Sequence, residues 1–306
     1  MKFLVTGHKG YIGQNLLKKI NENNFHSTGV DINYFDTYSY FNVNLKKADV
    51  DISQDLRKID KKIFNDIDVV VHLAALSNDP LGKLNPKLTE DINFKLSIKL
   101  AEFAKESGVK KFIYSSSCSV YGVSSSEEGV DEDSKLNPVT AYAKSKINTE
   151  YSLLEMDSNN FKVIFLRNAT AFGVSDAMRC DLVVSDLIGS ALNNNKIIIK
   201  SDGKPWRPLV HIDDINNVII EFSKLKNSEI NYNAYNIGAS SMNFKIFEIA
   251  NLISKKLNNT PVEITNEFGS DTRSYRVNFE RLNQQFNKKV INWNLEKGIE
   301  ETINYF

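Results

Sequence analysis

The opening residues leave this chain few folds to choose from. Lys2–Thr6 reads as a short apolar strand, and Gly7-His8-Lys9-Gly10-Tyr11-Ile12-Gly13 follows at once. A helical pattern then begins, with Ile12, Leu16, Leu17 and Ile20 recurring at three- and four-residue spacings. Strand, glycine turn and helix in that order make a glycine motif into a dinucleotide-binding turn. The glycines permit a tight turn and close backbone approach, and the helix N-terminus then faces a pyrophosphate. A second strand over 27–30 ends at Asp31, 24 residues after Gly7. A carboxylate there accepts hydrogen bonds from both ribose hydroxyls and repels a 2′-phosphate, which favours NAD over NADP. His8 and Lys9 pull the other way, since a basic side chain in the turn can meet a phosphate.

A second constellation supplies chemistry. Ser117 is followed 25 residues on by Tyr142-Ala-Lys-Ser-Lys146. Four residues is just over one helical turn, so Tyr142 and Lys146 leave the same face and can meet over one substrate atom. A phenol starts with a pKa near 10. An ammonium about 5 Å away favours the phenolate by roughly 3 kcal/mol at an effective dielectric near 20, about two pKa units. That makes tyrosine a usable base near neutrality. Ser117 would hydrogen-bond the same substrate oxygen and orient it.

Strand-like runs at Val69–His72, 112–115 and 163–166 alternate with helical patterns at 91–106 and 140–154. This is the rhythm of a parallel sheet covered on both faces. After residue 166 the rhythm loosens. The expected division is 1–167 plus 207–238 for a cofactor domain and 168–206 plus 239–306 for a smaller substrate-binding lobe. Within the cofactor domain, the apolar runs at 209–212 and 235–237 are expected to return to the main sheet. The 38 acidic and 38 basic residues cancel, so no nucleic-acid or membrane partner is implied. No apolar run approaches the roughly 18 residues needed to span a bilayer, and the chain begins with a strand rather than a signal sequence. Two cysteines, Cys118 and Cys180, suit a reducing, cytoplasmic setting. The four histidines lack the spacing of metal ligands, so no metal is expected.

The glycine spacing G-x-x-G-x-x-G, taken with Ser117, Tyr142 and Lys146, resembles the extended short-chain dehydrogenase/reductases, in particular the NAD-dependent epimerase/dehydratase family. The resemblance runs along essentially the whole chain. It implies a Rossmann-type doubly wound parallel sheet with a smaller C-terminal lobe, and NAD as cofactor. Residue by residue, it assigns the NAD site to Gly7, Gly10, Tyr11, Ile12, Gly13 and Asp31. It adds the adenine-binding pair Asp51 and Ile52, the segment Leu73-Ala74-Ala75 beneath the cofactor, and Ser115, Tyr142, Lys146 and Asn168. Ser117 takes the role of the catalytic serine or threonine. Arg207 matches an arginine that grips the diphosphate of a nucleotide-sugar substrate, and Arg273 or Arg276 adds a second contact. Thr170 stands where related 4-epimerases carry an asparagine, and Asn78 or Asp79 lies beside the nicotinamide, facing sugar hydroxyls or closing a turn at Pro80. Residues 181–184 open a helix over the nucleotide. The helices at 91–106 and 140–154 are those that related enzymes pair across a homodimer.

The shared first step of such enzymes is oxidation of a sugar C4 hydroxyl, with Tyr142 taking the proton. Members that are 4,6-dehydratases carry an acidic pair after the catalytic threonine, where this chain has Cys118 and Ser119. Members that epimerise next to the keto group carry a cysteine two places after the serine. Here Cys118 is one place after it, either reaching the pocket if the strand end bends or filling a half-buried gap. What remains is hydride chemistry at C4 alone: most simply a 4-epimerase, alternatively a 4-dehydrogenase or 4-ketoreductase. A non-catalytic NAD-binding module and the reduction of a non-sugar carbonyl are the competing classes.

Overall fold

The computed structural model describes residues 1–34, 46–77, 85–124, 129–267 and 273–306. Its main sheet is built from β1 (Lys2–Thr6), β2 (His26–Asp31), β3 (Val50–Ser53), β4 (Val69–His72), β5 (Lys111–Ser117), β6 (Lys162–Asn168) and β10 (Ala234–Ile237). These lie in the order β10-β6-β5-β4-β1-β2-β3, every neighbouring pair parallel. Alternation along each strand sorts its apolar side chains into two cores. Phe3 and Val5 join Leu16 and Ile20 of α1 (Tyr11–Glu22) and Ile215 and Ile219 of α5 (Ile212–Lys224). Leu4 and Val70 join Leu96 and Leu100 of α2 (Leu96–Glu106) and Leu153 of α3 (Ala141–Leu154). Helices therefore cover both faces, and strands buried on both sides read as the continuous apolar runs of a parallel sheet. This is the Rossmann-type doubly wound fold expected from the sequence.

Strand order reverses direction between β1 and β4, which opens a crevice beyond the carboxyl ends of these strands. Gly7 sits there with φ +74°, and a Cβ on it would lie 2.8 Å from the backbone nitrogen of Ala74. A Cβ on Gly13 would lie 2.5 Å from the carbonyl oxygen of Gly7. Only glycine lets the turn close this tightly under α1.

Two elements differ from expectation. The run at 209–212 does not return to the main sheet. It ends strand β9 (Trp206–His211), which pairs with β7 (Thr170–Phe172) and β11 (Asn243–Lys245) in a separate three-stranded sheet. The edge of β6 is taken by β10, with Ala234 opposite Phe165. A buried apolar run fixes burial, not which sheet supplies its partners. The helix expected from residue 91 begins in regular form only at Leu96, after a turn at Pro86–Thr89 and a π-wound segment, Glu90–Lys95. The wide turn carries Asn93, whose role is given below.

A third core holds the remaining elements together. Val184, Leu187 and Ile188 of α4 (Val183–Asn194) pack with Ile197 and Ile199 of β8 (Ile197–Ile199) and Ile249 and Ile253 of α6 (Ile246–Lys256). Leu295 and Ile299 of the last helix (Leu295–Tyr305) close it. No helix among the described residues is long and apolar enough to cross a membrane.

Candidate active site

β5 ends in three serines, and strand alternation gives them different neighbours. The Ser115 carbonyl accepts from Lys146 Nζ at 2.6 Å, and its Oγ accepts from Asn168 Nδ2 at 3.1 Å. Ser116 points the other way and donates to Glu150. Ser117 stays partly exposed and caps the single turn at Cys118–Tyr121, accepting from the Ser119 N–H at 3.1 Å.

Opposite them, α3 starts where Thr140 Oγ1 accepts from the Ala143 N–H, so Tyr142 stands in the first turn and Lys146 one turn on. Lys146 Nζ lies 5.4 Å from the centre of the Tyr142 ring and 4.6 Å from that of Tyr114. The spacing matches the sequence reading, but the charge does not. Burial pulls the Lys146 ammonium down to about 7, against the opposing pull of Glu150. Glu150 is in turn held by Arg167, Nη2 to Oε2 at 2.7 Å. Burial works against the Arg167 charge, yet Glu150 keeps it above its usual value.

The cofactor segment after β4 is fixed from behind. His72 Nδ1 meets Thr6 Oγ1 at 2.6 Å and Nε2 meets Ser97 Oγ at 2.8 Å. Since Ser97 Oγ donates to the Asn93 carbonyl, the network assigns the His72 proton to Nε2. Burial, and then Lys146, push its pKa down to about 3, so the ring stays neutral. Asn93 accepts from the Leu76 N–H at 2.8 Å and donates to the Leu76 carbonyl at 3.1 Å.

Arg179 was not singled out by the sequence. It forms a two-pronged pair with Asp181, Nη2 to Oδ2 at 2.6 Å, and its Nη1 lies 3.4 Å from Ser77 Oγ. Burial works against the Arg179 charge, yet the pairing with Asp181 keeps it above its usual value. The only sequence signal was a cation two places before Asp181 in an unassigned loop.

The residues assigned to NAD fit that group. α1 begins at Gly10 with no side-chain cap, leaving its first-turn N–H groups for a pyrophosphate. Asp31 stands at the end of β2, accepting from the Lys9 N–H at 3.1 Å and the Asn33 N–H at 3.0 Å. Asp51 lies on β3, 3.4 Å from both His8 Nε2 and Lys9 Nζ, with Ile52 beside it. Leu73 and Ala74 join the turn, the Leu73 N–H donating to the Thr6 carbonyl and Ala75 following partly buried. Asn168 Oδ1 is buried without a hydrogen-bond partner, an acceptor suited to a carboxamide N–H. Ile12 also follows Gly10, but the Tyr11 side chain turns away from this seat and donates to the Gly173 carbonyl at 2.6 Å.

The other assigned residues are dispersed. Arg207 on β9 donates to the carbonyls of Trp206 and Arg273, which brings its guanidinium against the backbone at Arg273. Thr170 pairs with Leu209 at the start of β7. Cys118 does not join the crevice. It is packed in the core, where its Sγ donates to the Arg167 carbonyl at 3.0 Å and burial pushes the thiol pKa well up. Ser119 is buried too, its Oγ lacking a hydrogen-bond partner. Asn78 and Asp79 lie outside the described residues.

The model of the NAD dependent epimerase/dehydratase family matches residues 3–238. The chain belongs to that family. Its cofactor is NAD, as the family's description states. The UDP-glucuronate 4-epimerase of Thermodesulfobacterium geofontis is 28% identical over 99% of this chain and 95% of its own length. The dTDP-D-glucose 4,6-dehydratase of Dictyostelium discoideum is 32% identical over 85% of this chain and 62% of its own. Among solved structures, the UDP-glucuronic acid 4-epimerase from Bacillus cereus, in complex with UDP-glucuronic acid and NAD, matches with a TM-score of 0.83 and 23% identity. That match covers all of this chain and 98% of the other, and it shows a shared fold.

Proposed function

We propose that this family member is a nucleotide-sugar 4-epimerase. The observation that carries the reading is the base pair Tyr142–Lys146 set against Ser117, with no carboxylate following Ser117. Cys118 is sunk in the core and Ser119 has only a hydroxyl to offer, so the strand end has no acid to remove a C6 hydroxyl. Relatives bearing the 4-epimerase name support the same reading.

In this mechanism Ser117 hydrogen-bonds the C4 oxygen, and Tyr142 accepts its proton as the C–H bond breaks. NAD, when bound, would supply the hydride-accepting and hydride-donating chemistry at C4. Burial brings the Lys146 pKa to about 7, and a phenolate beside it favours its ammonium form, so the proton that leaves the Tyr142 hydroxyl can rest on Lys146. Its bond to the Ser115 carbonyl fixes where that charge stands. Arg207 holds the substrate diphosphate, with Arg273 alongside, because a guanidinium can bridge two phosphoryl oxygens. Thr170, at the start of β7, adds a sugar contact. Two copies pair through α2 and α3, where Tyr151 and Leu154 are exposed; light scattering at the mass of one 34.7 kDa chain would remove that part.

The test is to incubate the protein with UDP-, GDP-, CDP- and dTDP-sugars and follow product mass and retention. A product of unchanged mass at a new retention time, without stoichiometric NADH, supports the epimerase. A product two hydrogens lighter, formed with NADH, makes it a 4-dehydrogenase, and loss of water refutes the reasoning from Cys118 and Ser119.

A further inference from the structure

The ten residues between β7 and α4 form a strap whose first backbone groups go to side chains rather than to another strand. Backbone polar groups at such depth must be satisfied somewhere, so whatever meets them sets the path of the strap. Here the partners come from two helices. On α1, the Tyr11 hydroxyl donates to the Gly173 carbonyl at 2.6 Å, and Asn15 Nδ2, one turn on, donates to the Val174 carbonyl at 3.0 Å. Ser175 Oγ returns a bond to the Tyr11 carbonyl at 2.8 Å. On the last helix, Leu295–Tyr305, Glu301 accepts from the Val174 N–H at 3.2 Å and Tyr305 donates to the Ser175 carbonyl at 3.4 Å. Each helix offers a pair of polar side chains four residues apart, the spacing that puts both on one face.

The position of Tyr11 gives this clamp its meaning. Tyr11 is the first residue of α1 after the uncapped Gly10. Its backbone belongs to the turn that seats the pyrophosphate, while its buried side chain holds the strap. Six residues beyond Gly173 the strap carries Arg179, which reaches Ser77 on the cofactor segment and pairs with Asp181.

We propose that Tyr11 is a positioning residue that couples the filled cofactor seat to the placement of Arg179 over the sugar site, so that NAD and nucleotide sugar bind with positive cooperativity. The inference rests on the epimerase reading for the identity of the second ligand, but not for the coupling. Ordering α1 around a pyrophosphate steadies the Tyr11 ring. A steadied strap holds Arg179 where the second ligand meets it, and by linkage the second ligand tightens NAD in return.

Hydrogen exchange of residues 173–181, with and without NAD, reads the coupling directly. In the wild type NAD should slow exchange there. In Tyr11→Phe, and in Asn15→Ala should the first variant not fold, the slowing should be lost. Tyr305→Phe, which loosens the strap from the side remote from the cofactor, should raise exchange in both states yet keep the NAD effect. In NAD-saturated Tyr11→Phe the KM for the nucleotide sugar should rise about tenfold, the usual reach of one lost hydrogen bond, while the NAD affinity measured without sugar stays within about threefold. Exchange at 173–181 that ignores NAD in the wild type overturns the proposal, as does a Tyr11→Phe protein whose NAD affinity without sugar falls as far as its KM rises. If NAD slows exchange through Tyr11 but no nucleotide sugar is turned over, the coupling stands and the epimerase reading falls.

Discussion

Replacing Lys146 with methionine should abolish activity and yet make the cofactor-free protein more stable. Lysine ordinarily titrates near 10.5, and burial holds Lys146 to about 7. The folded state is therefore burdened by about 5 kcal/mol at pH 7 and below, at about 1.4 kcal/mol per pH unit. Between about pH 7 and 10.5 the unfolded chain binds one more proton than the folded one, so stability attributable to this residue rises with pH across that window. Methionine fills a similar volume without a charge but loses the bond to the Ser115 carbonyl and the stacking over Tyr114, together about 2 kcal/mol. The variant should thus be more stable by about 3 kcal/mol at pH 6–7, with the advantage shrinking by about 1.4 kcal/mol per pH unit and vanishing near pH 9. Urea unfolding of both NAD-free proteins from pH 6 to 10 measures this, and other titrating groups cancel in the difference. A stability difference that stays flat over that range would refute the reasoning, because Lys146 would then be fully charged in its seat. Loss of turnover in the same variant would show that the site accepts instability to keep a charge where the phenolate forms.

Tyr142→Phe should lower kcat by at least about 10³-fold with NAD affinity within a few-fold, since it removes the proton acceptor and little else; titrating NAD into the variant separates the two. Arg207→Ala should raise the dissociation constant of the nucleotide sugar by about 10- to 100-fold while leaving NAD affinity alone, and calorimetry with UDP distinguishes this from a surface ion pair. Glu150→Gln leaves Arg167 buried without its counter-ion and should cost about 3–5 kcal/mol in urea unfolding. The double variant Glu150→Gln/Arg167→Met should recover most of that loss.

Much of this architecture was legible in the chain because the pattern and the physics coincide. Lys2–Thr6, the glycine turn and the helix after it announce themselves through a change of period, and Tyr142 and Lys146 through helical spacing. Asn93 was illegible: a single asparagine in an apparent helix gives no sign that a π-wound turn will aim it at Leu76. Arg179 was illegible for the opposite reason, since its loop has no period at all and its place is set by Tyr11 and Asn15, some 160 residues away in sequence. The run at 209–212 was read correctly as buried but placed in the wrong sheet, because hydrophobicity reports burial and not partners. Cys118 stood next to Ser117 in sequence, yet the turn that Ser117 caps sends the thiol inward.

The strand order has a consequence for how the chain must be made. β6 is complete at Asn168, but the strand that covers its outer edge ends only at Ile237, 69 residues later. At ordinary rates of synthesis that is a delay of roughly 3–14 s. Throughout it, an apolar strand from the centre of the protein is an open edge, offering N–H and C=O groups to any other chain. The nascent protein is therefore most exposed to wrong pairing while the segment carrying Arg179 and Arg207 emerges, and chain release before Ala234 would leave that edge open for good.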